Sequence, residues 1–235
     1  MGGAEGHPDQ TLTEVRRPVR TFGRMRSRRL KPGRAARLAT MLPELTLPSV
    51  PFDPGTIAPA AAEVWLEIGF GAGEHLAATA RERPEVLLLG AETFVDGVAS
   101  LLRHIETLGL KNVRIHPCDA RELMANLPPA SVDRLFVLFP DPWPKTRHRG
   151  RRLVQGPFVL DIARIMKSGA RALLATDWAD YAEGILVSFL ASSDFLWTAK
   201  SAADWRERPA TEAATRYEIK RLGDCPPVWL EYARV

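Results

Sequence analysis

The sequence predicts an α/β fold in which a mostly parallel sheet is covered by helices on both faces. From Val64 onward, short apolar segments alternate with segments of helical periodicity, and strand–helix–strand repeats of this kind form parallel sheets. Most of the apolar segments lack polar alternation, so neither face of those strands is expected to meet water. The chain has 235 residues, 46% of them hydrophobic, which is enough for one such domain with a buried core.

The first sixty residues are expected to be an appendage to this domain. Residues 1 to about 15 are polar, and the basic segment after them ends in a stretch with apolar residues at helical spacing between positions 35 and 45. Five prolines from Pro43 to Pro59 then exclude regular helix and predict an extended connector. We therefore divide the chain into a basic arm with its connector, residues 1–60, and one main domain, residues 61–235.

The main domain contains seven candidate strands with helices between them. The clearest helix is Phe94 to Leu108, where apolar residues form one stripe and Gly109 supplies a C-terminal stop. A further helix is expected from Asp180 to Ser192. The strands are expected at residues 64–68, 86–91, 113–116, 135–139, 170–176, 195–198 and 228–234.

The charge is distributed unevenly along the chain. The net charge is only +4, yet Arg16 to Arg37 holds ten basic residues and Lys145 to Arg152 five more, with no acid in either segment. The rest of the chain has 17 basic residues against 28 acidic ones. Two concentrated basic segments on an acidic body favour a polyanionic partner, although a charge run alone is usually a solvated surface.

The cysteines and the apolar segments exclude several classes of protein. Cys118 and Cys225 lie far apart and in no CxxC pattern, so neither a disulfide framework nor a metal site is predicted. No stretch approaches the roughly 18 apolar residues of a membrane helix, and residues 1–10 lack the features of a signal peptide. We expect a cytoplasmic protein without a membrane partner, either a monomer or a homodimer.

A glycine-rich turn follows the first predicted strand. Residues 67–73 read EIGFGAG and open a helix, and such glycines let the chain turn sharply and leave room for a ligand. The spacing differs from the dinucleotide fingerprint G-x-G-x-x-G, because Glu74 and Leu76 stand where its third glycine is required. The turn therefore predicts a ligand site that is not built for a dinucleotide.

Acidic residues follow each of the first three predicted strands. Glu67 would repel the pyrophosphate of a nicotinamide or flavin, but would attract the ammonium and sulfonium of S-adenosylmethionine. Glu92 stands where a carboxylate can accept hydrogen bonds from both ribose hydroxyls, and Asp119 can reach an adenine amino group. A helix cap or a solvated loop would explain any one of these acids equally well. The ordered set favours S-adenosylmethionine.

The fourth predicted strand leads into a stiff loop that becomes strongly basic. Residues 140–145 read PDPWPK, and the cationic residues up to Arg152 follow directly. Ligands of open α/β sheets bind outside the carboxyl ends of the strands, so Asp141 and Trp143 are expected to face a site. A proline-rich loop could also cap a sheet edge, but that would leave the basic residues unexplained.

Together these blocks resemble the bacterial tRNA (guanine-N7)-methyltransferase family. The similarity extends from about Thr21 to the C-terminus, and its most specific block is PDPWPK. The resemblance implies a Rossmann-like class I methyltransferase fold with a seven-stranded sheet. It also implies transfer of a methyl group from S-adenosylmethionine to N7 of guanine 46 in the tRNA variable loop. The matching blocks are residues 67–73, 90–92, 139–148, 176–177 and 215–218.

The resemblance also assigns roles to individual residues, with Asp141 as the catalytic one. The basic residues after the PDPWPK loop are expected to hold tRNA phosphates. Cofactor contacts are expected from Glu67, Gly69, Gly71, Gly73, Glu92, Asp119, Ala120 and Asp141. Substrate contacts are expected from Lys145, Asp177, Thr215, Arg216, Tyr217 and Glu218. Contacts to RNA are expected from Arg147, His148, Arg149, Arg151 and Arg152.

Three alternative functions remain open at this point. A methyltransferase for a small molecule would leave both basic segments unexplained. An RNA-binding protein whose methyltransferase domain has lost activity would have no reason to keep Glu67, Glu92, Asp119 and Asp141. An oxidoreductase that uses a nicotinamide is disfavoured by the glycine spacing and by Glu67.

Overall fold

The computed structural model describes Phe22 and residues 30–235, and this part of the chain forms one seven-stranded sheet with helices on both faces. The strands are β1 Glu63–Ile68, β2 Val86–Ala91, β3 Val113–His116, β4 Val132–Leu138, β5 Met166–Thr176, β6 Phe195–Trp197 and β7 Val228–Arg234. The helices are α1 Pro32–Thr40, α2 Leu42–Leu45, α3 Pro54–Ile57, α4 Glu74–Glu82, α5 Val95–Leu108, α6 Ala120–Asn126, α7 Gly156–Ile165, α8 Ala179–Leu190, α9 Ala203–Arg206 and α10 Arg216–Lys220. A 3-10 helix covers Thr146–Arg151.

The strand order places the glycine-rich turn beside the PDPWPK loop. The order is β3-β2-β1-β4-β5-β7-β6, and β1 to β5 are parallel, whereas β7 runs antiparallel to β5 and β6. The chain starts in the middle with β1, moves outward to β3 and returns to β4 on the other side of β1. Such a reversal opens a crevice at the carboxyl ends of the two central strands, and ligands of open α/β folds bind there.

The seven strands and the predominance of parallel pairing confirm the predicted fold class. β1 pairs with β2 along its whole length, from Glu63↔Val86 to Ile68↔Ala91. β4 begins three residues before its predicted start, because Val132 pairs with Met166 ahead of a register shift. The same pairing starts β5 at Met166 rather than at the predicted residue 170.

The side chains of β2 alternate between two hydrophobic clusters, one on each face of the sheet. Leu87 and Leu89 of β2 belong to the cluster that includes buried residues of α6, α7 and α8. Val86 and Leu88 belong to the cluster formed with α4 and α5. All six residues of β2 are buried, as the lack of polar alternation predicts. Each buried Leu or Val contributes about 1.5–3 kcal/mol to folding.

The prediction that the proline-rich connector contains no helix is wrong at Pro54, where α3 begins. Pro43 also lies in a helix, α2, which falls within the helical stretch predicted up to position 45. Both helices are single turns, with proline at the second position in α2 and at the first in α3. Proline is tolerated there because its missing N–H would have no partner within the helix. The side chain of Asp53 also caps α3 by accepting a hydrogen bond of 2.9 Å from the Gly55 N–H.

The helix predicted between positions 35 and 45 is divided into α1 and α2 and packs on the main domain. Arg34 and Arg37 of α1 form ion pairs of 2.9 and 2.6 Å with Asp96 and Glu106 of α5. Leu47, just after α2, is only 1% exposed. Residues 1–21 and 23–29, which carry most of the predicted basic arm, lie outside the described residues. Among the described residues, no helix combines the length and apolar character needed to cross a membrane.

Candidate active site

A cavity of about 610 Å³ lies at the carboxyl ends of the central strands. Volumes of roughly 300–1,000 Å³ are typical of sites for small molecules. Predicted site residues meet there from turns that are distant in sequence. The cavity lining includes Gly69, Gly71, Glu92, Asp119, Ala120, Asp141, Arg151, Arg152 and Tyr217, and also Phe22 and Trp143.

The glycine-rich turn passes closely under α5. Its three glycines have left-handed φ angles, 74° at Gly69, 57° at Gly71 and 81° at Gly73. Residues with a Cβ rarely adopt such angles. A Cβ on Gly73 would lie 2.8 Å from Leu101, and a Cβ on Gly97 of α5 would lie 2.2 Å from the Gly71 carbonyl oxygen. The close approach fixes this turn at the edge of the cavity.

Glu92 joins the turns that follow β1 and β2. Its Oε2 accepts a hydrogen bond of 2.8 Å from the Gly71 N–H, and its Oε1 accepts one of 2.8 Å from the Phe94 N–H. Burial raises the pKa of Glu92 above its ordinary value, while these backbone hydrogen bonds oppose the shift. Each carboxylate oxygen has a second lone pair, so Glu92 can still accept hydrogen bonds from a ligand in the cavity.

Asp119 lies directly after β3 and is both a helix cap and part of the cavity wall. Its side chain accepts a hydrogen bond of 3.0 Å from the Arg121 N–H at the start of α6. The Arg121 guanidinium donates two more, of 2.9 and 2.8 Å. The cap and the ligand contact considered from the sequence are therefore compatible, because the capping bonds hold a carboxylate that faces the cavity.

Two residues with left-handed backbone angles flank Asp141. Phe139 has φ 52° and Trp143 has φ 43°, and bulky residues adopt such angles at a cost of about 1–3 kcal/mol each. The surrounding contacts hold them there: the Phe139 N–H donates to the Ala175 carbonyl at 2.8 Å, and Arg152 Nε donates to the Pro142 carbonyl at 2.8 Å. Strained backbone of this kind concentrates at functional sites. Asp141 is exposed to the cavity, and partial desolvation raises its pKa.

The cationic residues after this loop differ in their contacts, which are ion pairs for some, aromatic rings for others and solvent for the rest. Arg152 is 8% exposed and, like Arg149, forms an ion pair of 2.8 Å with Asp180. The Arg151 guanidinium lies over the rings of Trp143 and Phe22, at 5.0 and 5.3 Å. His148 lies edge-on to Trp143. Lys145 and Arg147 are exposed and form no ion pair within the described part of the chain.

Arg152 thus lies in a different setting from the one expected of a phosphate contact. Its guanidinium is turned inward to the Pro142 carbonyl and to Asp180 because the 3-10 helix folds back against α8. Arg152 thereby holds the PDPWPK loop in place through its hydrogen bond to the Pro142 carbonyl. Lys145, Arg147, Arg149 and Arg151 are all exposed. Among the described residues, Lys145 and Arg147 differ from Arg149 and Arg152 in that they form no ion pair.

Glu67 does not line the cavity, although the sequence places it at the entrance of the glycine-rich turn. It is 3% exposed, and its Oε2 lies 2.8 Å from Nδ1 of His75. The side chain points toward α4, where Gly73 forms the N-cap. The structure therefore places Glu67 and Gly73 behind the turn whose other glycines line the cavity.

Asp177 likewise does not line the cavity, and its side chain accepts a hydrogen bond from the backbone. It is 8% exposed, and its Oδ2 accepts a hydrogen bond of 2.7 Å from the Gly223 N–H. A Cβ on Gly223 would lie 1.9 Å from the Asp177 carbonyl oxygen. The glycine is therefore required for this contact, which ties the end of β5 to the loop before β7.

The four substrate residues predicted at 215–218 begin α10 beside the cavity. Thr215 caps the helix, accepting a hydrogen bond of 3.2 Å from the Glu218 N–H, and Arg216 pairs with Glu74 at 2.8 Å. Tyr217 lines the cavity, with its ring 3.4 Å from where a Cβ on Gly71 would lie. Glu218 Oε2 is buried and has no hydrogen-bond partner among the described residues.

The relatives of this chain decide its family. Residues 61–228 match the family model described as "Putative methyltransferase". The tRNA (guanine-N(7)-)-methyltransferase of Caulobacter sp. (strain K31) is 54% identical over 218 residues, which cover 93% of this chain and 96% of that relative. The chain belongs to the tRNA (guanine-N(7)-)-methyltransferase family. The enzyme of that name from Hyphomonas neptunium is 44% identical over 216 residues, covering 91% of this chain and 99% of that relative.

A solved structure outside the tRNA (guanine-N(7)-)-methyltransferase family shares the fold. A point mutant of the 16S rRNA (adenine(1408)-N(1))-methyltransferase from Catenulisporales acidiphilia, with the cosubstrate S-adenosylmethionine, superposes with a TM-score of 0.54 at 17% identity. The superposition covers 78% of this chain and 92% of that chain. At this identity the likeness concerns the fold alone.

The sequence interpretation of this family member missed three residues of the site. Phe22 lines the cavity, and His75 and Glu212 form a buried pair behind it. His75 could have been noticed, because it is the one ionisable residue on the buried face of α4. The partner Glu212 lies 137 residues away, and no local pattern connects the two.

Three side chains beside the cavity could be metal ligands by residue type. His116, Cys118 and Glu122 each place one potential ligand atom within 4.8 Å of the others, and Cys118 and Glu122 are exposed. Exposed carboxylates commonly group in this way without an ion, and structural zinc sites use four protein ligands. We assign no ion to this group.

Proposed function

We propose that this chain transfers the methyl group of S-adenosylmethionine to N7 of guanine 46 in the variable loop of tRNA. The observation that carries the proposal is the position of Asp141, which faces the same cavity as Glu92 and Asp119 in a member of this family. The fold brings these carboxylates together from the ends of β2, β3 and β4, at the crevice where α/β proteins bind ligands.

The residues that line the cavity fit S-adenosylmethionine. Glu92 offers acceptors for ribose hydroxyls, and Asp119 with Ala120 forms the wall for the adenine. The backbone of the glycine-rich turn leaves room for the amino-acid part. When bound, the cofactor supplies an electrophilic methyl group on a positively charged sulfur.

The cavity supports methyl transfer without a general base. Guanine N7 has an in-plane lone pair and no proton, so it can attack a methyl group directly. Positive charge then develops on the purine, and a fixed carboxylate at Asp141 stabilises that charge and orients the base. We therefore assign Asp141 an electrostatic and orienting role, and no proton abstraction.

Glu218 is the better supported acceptor for the donor edge of guanine. The sequence left Asp177 and Glu218 open for this role, because either carboxylate could accept from guanine N1–H and N2–H. Asp177 is already engaged by the Gly223 N–H. Glu218 pairs with Arg208 through Oε1 at 3.6 Å, but its Oε2 is buried without a hydrogen-bond partner among the described residues. Trp143 and Phe22 line the cavity and offer aromatic faces on which a base can stack.

Product analysis tests the proposed reaction directly. Purified protein is incubated with labelled S-adenosylmethionine and an unmodified tRNA transcript, and the nucleosides of the product are separated. We expect 7-methylguanosine, and we expect it to disappear when guanine 46 of the transcript is replaced. Binding of cofactor and tRNA without any transfer would support an inactive RNA-binding protein instead.

Replacing Glu92 with glutamine is expected to weaken cofactor binding about 10- to 100-fold, because hydrogen bonds to a charged acceptor contribute about 1.5–3 kcal/mol. The amide would also place a donor against the Gly71 or Phe94 N–H. Calorimetric titration with S-adenosylmethionine measures the change. Glu183→Gln, on an exposed position of α8, is the matched control. An unchanged Kd in Glu92→Gln would contradict the assignment of Glu92 to the ribose.

Replacing Lys145 or Arg147 with alanine is expected to weaken binding of every tRNA to a similar extent, because phosphate contacts do not depend on the base sequence. Each change should also reduce the slope of log K against log salt concentration by about one, as for one lost phosphate contact. Both side chains are exposed. Binding measured between low and high salt tests this, with the exposed Lys111→Ala as control. A variant with the same slope as the wild type would show that the replaced residue makes no phosphate contact in the complex.

A further inference from the structure

We propose that His75, held between Glu67 and Glu212, is a positioning residue that fixes the segment carrying Tyr217 against the cofactor turn. We call residues 208–218, which place Tyr217 in the cavity wall, the covering segment. We call Glu67, His75, Arg134 and Glu212 the His75 cluster. The inference rests on the proposed function, because it concerns how the same site is held in its productive geometry.

The His75 cluster is a chain of short contacts behind the glycine-rich turn. His75 Nδ1 lies 2.8 Å from Glu67 Oε2, and His75 Nε2 lies 2.9 Å from Glu212 Oε2. The chain continues from Glu212 Oε1 to Arg134 Nη2 at 2.9 Å. His75, Glu67 and Glu212 are 2%, 3% and 8% exposed, so bulk water does not compete for these contacts.

The two carboxylates favour an imidazolium at His75. A neutral imidazole carries one donor and one acceptor, so one of its nitrogens would face a carboxylate oxygen without a proton between them. Burial opposes the charge, but Glu67 and Glu212 outweigh it and raise the pKa of His75 to about 10. Arg134 supplies the second positive charge, so the cluster holds two acids and two cations.

The covering segment has its buried anchor at Glu212. Only Ala213 and Ala214 separate this residue from Thr215, the N-cap of α10. Two residues after Thr215, the Tyr217 ring lies beside Gly71 and lines the cavity. The other ion pair from this segment to the turn, Arg216 to Glu74, is at the surface, with the arginine side chain 53% exposed, and surface pairs contribute little.

The cluster therefore connects the cofactor turn to residues that face the substrate. Glu67 lies at the end of β1, two residues before Gly69, and His75 lies two residues after Gly73. One imidazolium thus joins both ends of the turn to the anchor of Tyr217 and Glu218. Loss of the anchor is expected to displace the covering segment. The glycine-rich turn should keep its position, because Glu92 still accepts a hydrogen bond from Gly71 on the other side.

Glu212→Ala tests this role, with Glu212→Gln as the conservative variant. Alanine removes the side-chain contacts of the anchor to His75, Arg134 and Thr211. Glutamine can donate to a neutral His75 and still accept from Arg134. For Glu212→Ala we expect faster amide hydrogen exchange in the covering segment and a fall in kcat/KM for tRNA of about 100-fold, as for a misplacement of about 1 Å. The Kd for S-adenosylmethionine should change little. Glu212→Gln should restore most of the exchange protection and of kcat/KM.

Glu207→Ala is the matched control, because Glu207 is exposed and directly precedes the covering segment. A purely structural role for the cluster would lower the Tm of Glu212→Ala without changing exchange in the covering segment or kcat/KM for tRNA, and that result would overturn the proposal. So would an equal loss of cofactor and tRNA binding. Hydrogen exchange and cofactor binding need no turnover, so absence of methyl transfer in the wild type would refute the proposed function separately.

Discussion

Asp141→Asn is expected to lower the single-turnover rate of methyl transfer by about 10²–10³-fold, the usual effect of removing one preorganised electrostatic contact from an active site. Asparagine keeps the size of the side chain but removes the charge that stabilises the developing positive purine. Rapid quenching with saturating cofactor and tRNA measures this step alone. The Kd values for both ligands in the same variant show whether binding is preserved.

The pH dependence of the rate provides a second test of Asp141. Desolvation raises its pKa, so its carboxylate becomes protonated at a higher pH than that of an ordinary aspartate. The rate should therefore fall as the pH falls through this raised value, and Asp141→Asn should not show the fall. A rate within a few-fold of wild type in Asp141→Asn, or the same acid limb in both proteins, would disprove the electrostatic role.

Raising the pH from 7 toward 10 is expected to destabilise the wild type more than His75→Gln. The pKa of His75 is about 10 in the folded protein against an ordinary value of 6.5, so the folded state keeps a proton that the unfolded chain releases. The stabilisation is complete below the ordinary value and is lost as the pH rises through about 10. The loss amounts to at most about 1.4 kcal/mol for each pH unit in this window.

Urea unfolding at several pH values measures this difference. Other groups that titrate above pH 7 are common to both proteins, so the difference between their slopes isolates His75. His104→Gln is the matched control, because burial lowers the pKa of His104 and leaves it neutral throughout this window. Equal slopes for the wild type and His75→Gln would show that His75 is not charged in the folded protein.

Local patterns predicted most of the sheet. The strand boundaries at β2, β3 and β7 coincide with the predicted ones, because apolar runs bounded by polar turns determine where buried strands begin and end. The early start of β4 and β5 was missed, since pairing between Val132 and Met166 depends on the neighbouring strand. The short helix α3 was missed because proline suits a first turn as well as a connector.

The candidate site was predictable where a residue's role depends on its place at a strand end. Glu92, Asp119 and Asp141 follow three strands of a parallel sheet, and such ends converge on one edge, so all three line the cavity. Side-chain direction could not be inferred in this way. Glu67 also lies near the carboxyl end of a parallel strand, yet its side chain points toward α4 and His75 instead of the cavity.

The sequence by itself determined the order of strands and helices, the glycine-rich turn, the stiff PDPWPK loop and the family, because each depends on residues that are neighbours along the chain. Only the tertiary structure decided that Arg152 turns inward to Pro142, that Phe22 joins the cavity, and that His75 lies between Glu67 and Glu212. These contacts depend on how helices pack over the sheet. Packing brings together residues as far apart as 137 positions, and no periodicity along the chain encodes which buried charges then become neighbours.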